Sequence, residues 1–161
     1  MKLLYEELTG EVLGAFYTSY NGLRYGFLEN VYVSAIVIEL ELRNLFVERE
    51  VAVQVYYLGR PVGVYRPDLL VDHRLVVEIK SIHTITESDR RQLMNYLRCT
   101  DLELGLLLNY GPKPQFERVI STSKPFKSQE LSVQFPSVPA PIREKPPRSS
   151  AQDPRGSNAE E

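Results

Sequence analysis

Apolar residues recur at helical spacing in two N-terminal stretches, Lys2–Thr18 and Phe27–Phe46, and this spacing predicts an α-helix in each. The second stretch is apolar around most of its circumference, which indicates a largely buried helix. Glu29 lies on the same stripe as the apolar residues Val33, Ile36 and Leu40. A carboxylate on that stripe needs an ion pair, a hydrogen bond or a metal ion, unless it only stabilises the positive end of the helix dipole.

Alternating apolar and polar residues after position 50 predict strands instead. The predicted strands are Glu50–Leu58, Val62–Val71, Leu75–Ile82, Leu104–Asn109 and Gln115–Ile120. A third helix is predicted from Glu87 to about Cys99, because Thr86 and Asp89 have the spacing of a capping box. The strand–helix–strand connection through this helix predicts a parallel, right-handed crossover. The chain is therefore predicted to be an α/β protein with a mixed β-sheet flanked by α-helices.

The second and third predicted strands are joined by a turn centred on His73. With that centre, Asp68 lies opposite Glu78, and their Cβ atoms are roughly 5 Å apart. Lys80 emerges on the same face as Glu78, because side chains alternate along a strand. The neighbouring residues are apolar on both faces, and two buried like charges are costly without a compensating cation. These three residues indicate a metal site, with an ordinary salt bridge on a solvated face as the alternative.

Composition adds limits rather than a function. The chain has 161 residues and a net charge of −2, and 43% of its residues are apolar, as in ordinary globular proteins. Residues 1–120 hold 13 Lys/Arg against 16 Asp/Glu, which argues against a general nucleic-acid coating protein but not against an enzyme with a local basic cleft. The single Cys99 excludes an internal disulfide and a four-cysteine metal site.

Apolar runs and local composition also bear on localisation and domain limits. No apolar run has the length of a membrane span, and the acidic N-terminus is unlike a signal peptide, so a cytoplasmic protein without a membrane partner is expected. One folded domain is expected over residues 1–122. Residues 123–161 hold seven of the eleven prolines and no tyrosine, and this composition predicts a disordered C-terminal tail.

Four short motifs stand in an order that resembles the PD-(D/E)XK nuclease superfamily. They are Gly26-Phe27-Leu28-Glu29-Asn30-Val31-Tyr32, then Pro67-Asp68, then Glu78-Ile79-Lys80, then Gln92-Leu93-Met94-Asn95-Tyr96. The first of them matches the naming motif of the GxxExxY family within that superfamily. The resemblance spans about residues 8–120, and it is the order and spacing of the motifs together that make it specific.

The resemblance implies a restriction-endonuclease-like fold and a phosphodiesterase that hydrolyses DNA or RNA. Asp68 and Glu78 would bind a divalent metal ion, Mg²⁺ or Mn²⁺, and Glu29 would complete the acidic cluster. Lys80 would position or activate the attacking water. Hard carboxylate ligands suit Mg²⁺, which polarises a phosphoryl oxygen and lowers the pKa of bound water.

The resemblance further implies that Gln92, Tyr96 and Tyr32 orient the site or contact the substrate. Family members commonly carry a histidine where this chain has Tyr20, and tyrosine is a poorer metal ligand at neutral pH than imidazole. The alternative function is therefore a catalytically weakened nuclease fold that binds nucleic acid or a protein. Both a monomer and a homodimer are compatible with the sequence.

Overall fold

The computed structural model describes residues 5–122. The elements are α1 (Glu6–Leu23), α2 (Glu29–Leu42), β1 (Val47–Arg49), β2 (Val53–Tyr57), β3 (Arg60–Tyr65), β4 (Leu69–Val71), β5 (Leu75–Lys80), α3 (Glu87–Arg98), β6 (Leu104–Tyr110) and β7 (Pro114–Ile120). Five strands form one sheet in the order β1-β4-β5-β6-β7, while β2 and β3 form a separate antiparallel pair. The start of the first predicted helix at Lys2 and the predicted tail, 123–161, lie outside the described residues.

The five-stranded sheet is mixed, as predicted. Strands β5 and β6 pair in parallel through the α3 crossover, and the other neighbouring pairs are antiparallel. Every residue of β6 is buried, as are all residues of β5 except Lys80. The α/β class with helices flanking a mixed sheet is confirmed. Within residues 5–122, no helix is long and apolar enough to cross a membrane.

The two faces of the sheet build two hydrophobic clusters. On one face, Val77 and Ile79 of β5 join a cluster formed with α1 and α2. On the other face, Val76 packs in a cluster with Leu93 and Leu97 of α3. Because side chains alternate along β5, the even-numbered Glu78 is directed to the α3 face between these apolar neighbours.

The predicted helix ends were wrong at both N-terminal helices. Helix α1 runs past Thr18 to Leu23, because the polar Ser19 is buried and bonds the Ala15 carbonyl (2.9 Å) and the Tyr110 hydroxyl (2.7 Å). Helix α2 ends at Leu42 instead of Phe46, since Asn44 takes a left-handed backbone conformation (φ 59°) that stops a helix. The residues that follow form the short strand β1, which the sequence did not predict.

The predicted single strand Val62–Val71 was also wrong, because it is two strands in two different sheets. Strand β3 pairs with β2, and β4 pairs with β1 and β5. The break contains Pro67, which has no N–H to donate to a ladder and so marks a natural end for regular pairing. The strand predicted from Glu50 likewise begins only at Val53, because Glu50 has a left-handed backbone (φ 51°).

Helix α3 lies close to the sheet because β6 carries a glycine beneath it. A Cβ at Gly105 would lie 2.7 Å from one Leu93 methyl group and 2.8 Å from the other. We expect Gly105→Ala to push α3 outward and to lower the free energy of unfolding by about 1–3 kcal/mol, as overpacking does in other cores. Urea unfolding would measure this loss.

A glycine of helix α1 serves as the control. Gly10 lies in α1, and a Cβ there would meet no atom within 4 Å. Gly10→Ala is expected to stabilise the fold by up to about 1 kcal/mol, because alanine favours a helix. Equal effects of the two substitutions would show that α3 is not held in contact with β6.

Candidate active site

The β4–β5 hairpin brings Asp68 and Glu78 together in the predicted register. Leu69 pairs with Val77, and Asp68 and Glu78 are the next residues outward. The two acidic residues bond across the hairpin. The Asp68 backbone N–H donates to Glu78 Oε2 (3.1 Å), and the backbone N–H of Ile79 donates to Asp68 Oδ2 (2.6 Å).

The turn of this hairpin explains why its register is well defined. Asp72 and His73 both have positive φ (49° and 54°), and the Arg74 backbone N–H donates to the Val71 carbonyl (3.0 Å). Two consecutive positive φ values are typical of the type I′ turn, whose twist matches that of the flanking strands. The local chain therefore holds the two carboxylates at neighbouring positions.

Lys80 and Gln92 complete a small polar network around Glu78. Lys80 Nζ lies 3.9 Å from Glu78 Oε1 and donates to Gln92 Oε1 (3.3 Å). Gln92 Nε2 donates to the same Glu78 Oε1 (2.8 Å). The amide of Gln92 therefore lies between the lysine and the glutamate and bonds both, in agreement with the predicted convergence of these side chains.

The position of Gln92 depends on how α3 begins and where it packs. Thr86 and Asp89 form the predicted capping box at its N-terminus. One turn later, Arg90 makes a bidentate bond to Glu117 of β7, with Nη2 donating to Oε1 (2.6 Å). These contacts join the first turns of α3 to the sheet and so place Gln92 over β5.

Burial sets the electrostatics of the acidic pair. Glu78 is 4% exposed, and its burial together with the Asp68 charge raises its pKa to about 7. Burial also raises the pKa of Asp68, although the hydrogen bond from the Ile79 backbone lowers it in part. The alternative of a salt bridge on a solvated face does not describe this cluster, because Glu78 is buried and Lys80 is at the limit of ion-pair distance.

Glu29 approaches the pair from the first turn of α2. Burial raises the pKa of its carboxyl group, Lys80 lowers it, and Asp68 raises it, so the three charged groups influence one another. The loop before Glu29 is tied to the end of β5, where Ser81 Oγ donates to the Phe27 carbonyl (3.0 Å). Glu29 itself is solvent-exposed, at the outer edge of this region, and its convergence with Asp68 and Glu78 in one acidic cluster stays a prediction.

Two tyrosines of the motif region are occupied with the backbone. The Tyr32 hydroxyl donates to the Arg24 carbonyl (2.6 Å) and accepts from the Phe27 backbone N–H (3.1 Å), so it holds the loop that leads to Glu29. Tyr20, at the position where the GxxExxY resemblance predicts a histidine, donates to the Gly111 and Pro112 carbonyls at 3.0 Å. Both side chains belong to the core on the α1–α2 face.

A pocket opens beside Glu78 on the α3 face of the sheet. The side chains that line it are Tyr65, Arg66, Pro67, Glu78, Gln92, Leu93 and Tyr96. Tyr96 is 2% exposed, and its hydroxyl has no hydrogen-bond partner among the described residues. Burial and the charges of Glu48 and Glu78 raise the pKa of Tyr96 to about 12, so the hydroxyl remains a donor at neutral pH.

Sequence reasoning missed three residues of this region. Tyr65 and Arg66 line the pocket, and their one sequence signal is their place directly before the Pro67-Asp68 motif. Asn109 is fully buried and bonds both backbone groups of Ile82, with Oδ1 accepting (3.0 Å) and Nδ2 donating (2.9 Å). The sequence signal for this residue was a single amide side chain in an otherwise apolar strand. Its two hydrogen bonds hold the backbone just after Lys80 in place.

The donor set fits a small, hard divalent cation held by two carboxylates. Within residues 5–122, no three His, Cys, Asp or Glu side chains cluster closely enough to hold a metal ion. Mg²⁺, however, is usually bound by one or two carboxylates and keeps several waters. Asp68 and Glu78 are such a pair, and a cation would offset the repulsion that raises the pKa of Glu78. The participation of Glu29 as a third ligand stays a prediction.

Comparison with known proteins gives a family and a fold. The model of the PD-(D/E)XK nuclease superfamily matches residues 6–119. The crystal structure of SSO0001 is similar with a TM-score of 0.50 and 18% sequence identity, over 74% of this chain. This chain spans 62% of the length of that protein. A comparison with curated proteins gave no match.

The family match runs from the start of α1 to the last but one residue of β7 and includes the hairpin, Lys80 and α3. Nucleases of this superfamily generally use divalent metal ions. The more specific GxxExxY resemblance stays a prediction. The chain belongs to the PD-(D/E)XK nuclease superfamily.

Proposed function

We propose that this protein is a metal-dependent phosphodiesterase that hydrolyses DNA or RNA. The observation that carries the proposal is the buried pair of carboxylates, Asp68 and Glu78, with the amine of Lys80 beside it. Burying two like charges at neighbouring positions costs free energy, and this cost appears as the raised pKa of Glu78, about 7. A bound cation would offset this cost. Membership of the nuclease superfamily supports the same function.

Asp68 and Glu78 would hold Mg²⁺ or Mn²⁺, with Glu29 as an outer third carboxylate. The bound ion would supply Lewis acidity toward a phosphoryl oxygen and a lowered pKa for bound water. Asp68 Oδ2 and Glu78 Oε2 are each oriented by a backbone N–H. These bonds hold both carboxylates in one geometry before any ligand arrives, which is what precise coordination of Mg²⁺ requires.

Lys80 would position the attacking water or neutralise charge on the scissile phosphate. Its ammonium group has three donors, and Gln92 accepts one of them (3.3 Å), which leaves the others for water or phosphate. Gln92 would thus act as a positioning residue for Lys80 and Glu78. Tyr96 lines the adjoining pocket as a buried donor, and a phosphate or sugar oxygen there would satisfy its hydroxyl.

Incubation with nucleic acids tests the proposal directly. The purified full chain would be mixed with single- and double-stranded DNA and RNA, with Mg²⁺, with Mn²⁺, or with a chelator. Cleavage that needs a divalent ion is the expected result. An absence of cleavage with every substrate, together with no thermal stabilisation by either ion, would contradict the proposal.

A further prediction separates the role of Lys80 from that of the ligands. Lys80→Ala is expected to lower the cleavage rate by about a hundred- to a thousand-fold, the usual cost of losing one stabilising donor. It should keep most of the metal-induced stabilisation, which is about 2.7 kcal/mol at a hundred times the dissociation constant. Cleavage rates and melting curves with and without Mg²⁺ would measure both effects.

Lys113→Ala is the matched control, because Lys113 is an exposed lysine in the turn between β6 and β7. It should change neither quantity. Loss of metal-induced stabilisation in Lys80→Ala would mean that the lysine is needed for the metal site itself, against the role proposed here.

One observation favours the alternative function, a nuclease fold that binds nucleic acid or protein without cleaving. Tyr20 stands where the resemblance implies a histidine, and its hydroxyl bonds the Gly111 and Pro112 carbonyls. A chain of this kind would bind nucleic acid equally well with and without Mg²⁺, and Asp68→Asn would leave binding unchanged. The incubation above distinguishes the two functions, since only the enzyme yields products.

A further inference from the structure

The β2–β3 pair, residues 53–65, projects from the domain as a hairpin arm. At its base, Val53 is 2% exposed and packs in the cluster of the α3 face, with Tyr65 against it. Exposure rises steeply toward the tip, where Tyr57 is 68% and Leu58 is 84% exposed. Because six residues of strand rise about 20 Å, the arm extends well beyond the sheet.

The arm has an unusual composition for an exposed segment. Residues 51–67 contain two arginines, Arg60 and Arg66, and no acidic residue, whereas the rest of the folded chain is acidic. Several of its exposed side chains are aromatic or apolar, and these are Tyr56, Tyr57, Leu58, Val62 and Val64. A positive, aromatic surface on an acidic protein is complementary to a polyanion that offers flat rings.

Tyr57 and Arg60 form the tip of the arm as a cross-strand pair. Directly opposed residues share a face, so a phenol ring and a guanidinium group are presented side by side. This combination suits one nucleotide unit, in which the base can stack on the ring while the arginine contacts a phosphate.

The arm is continuous with the candidate active site. From β3 the chain passes through Tyr65, Arg66 and Pro67, which line the pocket beside Glu78, and then reaches Asp68. The base of the arm therefore adjoins the pocket beside Glu78. The arm is thus an extension of the site rather than a separate surface.

We propose that the arm holds an unpaired, single-stranded stretch of nucleic acid that leads into the active site. This inference rests on the proposed function, since it names the form of the substrate. Bases inside a duplex are stacked on each other and present no free face to Tyr57, whereas an unpaired strand does. Phosphates of one duplex strand are about 3.4 Å apart along the helix axis, so an arm of about 20 Å contacts at most about six nucleotides, and fewer when an unpaired strand is more extended.

Binding measurements in a chelator test this inference apart from catalysis, because no divalent ion is then available for cleavage. Fluorescence anisotropy would compare three labelled DNAs on the full chain: a single strand, a blunt duplex and a duplex with a single-stranded overhang of increasing length. We expect the single strand to bind more tightly than the blunt duplex. Affinity for the overhang should rise with length and level off at or below about six nucleotides.

Variants of the tip assign the binding energy to the arm. Tyr57→Ala should weaken single-strand binding by roughly five- to 150-fold, while Tyr57→Phe, which keeps the ring, should bind like the wild type. Arg60→Gln should reduce the slope of log affinity against log salt by about 0.7, the contribution of one phosphate contact to a single strand. Because Tyr57 and Arg60 are exposed, these changes should leave the melting temperature nearly unchanged.

Matched controls lie elsewhere on the domain. Tyr17→Ala changes a tyrosine of α1 that is 38% exposed, and Arg98→Gln changes an exposed arginine at the end of α3. Neither should alter affinity or salt slope. Equal binding of the single strand and the blunt duplex, or unchanged affinity in Tyr57→Ala, would overturn the inference.

Two further outcomes are informative. If Tyr57→Ala converts a dimeric protein into a monomer without changing nucleic-acid affinity, the arm is a contact between copies of the chain and the inference is wrong. If single strands bind through the arm but no metal supports cleavage, the inference stands and the proposed nuclease function fails. If the protein cleaves nucleic acid with a metal ion but Tyr57→Ala changes neither cleavage nor binding, the nuclease function stands and the inference about the arm fails.

Discussion

Asp68→Asn is expected to lower the cleavage rate by about a thousand-fold or more, and to leave the metal-free protein at least as stable as the wild type. The substitution removes one of two carboxylate ligands, and metal binding supplies several kcal/mol of transition-state stabilisation. The amide oxygen can still accept the bond that Asp68 Oδ2 receives from the Ile79 backbone. Meanwhile, loss of the Asp68 charge removes a repulsion that raises the pKa of Glu78.

Melting curves with and without Mg²⁺, together with cleavage rates, would measure these effects. The wild type should be stabilised by the ion, and Asp68→Asn should not. Asp101→Asn is the matched control, because Asp101 is exposed in the loop after α3 and should behave as wild type in both assays. A clear loss of metal-free stability in Asp68→Asn, with no response of the wild type to Mg²⁺, would mean that the cluster is only structural.

The free energy of unfolding of the metal-free wild type is expected to fall as the pH rises, and Glu78→Gln is expected to abolish most of this fall. The pKa of Glu78 is raised from 4.5 to about 7, so the folded state binds more protons than the unfolded state between these values. Stability therefore falls as the pH rises from about 4.5 to above 7, by at most roughly 3 kcal/mol from this group. Asp68, whose pKa is also raised, adds to the same trend.

Urea unfolding between pH 5 and 8 in a chelator would compare the wild type with Glu78→Gln. Glu117→Gln is the matched control, because Arg90 lowers the pKa of Glu117 and that carboxyl group is therefore ionised in both the folded and the unfolded state throughout this range. Its substitution should lower the free energy of unfolding by the same amount at every pH between 5 and 8, since its contribution is lost only at a lower pH. If wild type and Glu78→Gln showed the same pH dependence, the repulsion between the two buried carboxylates would not be a real feature of the metal-free protein.

The same titration has a consequence for the metal. A proton and a cation compete for Glu78, so the apparent affinity for Mg²⁺ should fall about tenfold for each pH unit below about 7. Metal-dependent thermal stabilisation at a fixed Mg²⁺ concentration would therefore weaken under acidic conditions. This readout does not depend on cleavage.

Much of the hairpin could be predicted from the sequence because its determinants are local. Alternation with period two and a short turn at His73 were sufficient for the register that sets Asp68 opposite Glu78. Apolar residues on both faces of β5 correctly predicted its burial, and the Thr86–Asp89 spacing correctly predicted the capped start of α3. Each of these features depends on residues only a few positions apart.

Other parts depended on contacts between distant residues. The division of Val62–Val71 into β3 and β4 could not be read from alternation, because both halves are rich in apolar residues. The two strands differ in their pairing partners. Strand β4 pairs with β1 and β5, whereas β3 pairs only with β2. Similarly, Ser19 continues α1 because Tyr110, 91 residues away, accepts or donates its hydrogen bond.

The sequence by itself determined the α/β class, the order of the elements and the pairing of Asp68 with Glu78, because periodicity and turn chemistry act over short distances. The tertiary structure alone decided that Tyr20 and Tyr32 bond backbone groups, that Glu29 lies at the outer edge of the site, and that β2 and β3 leave the sheet as an arm. These features depend on which helices and strands pack against each other, and that involves residues far apart in the sequence. Burial and repulsion, and hence the raised pKa of Glu78, exist only once the chain has folded.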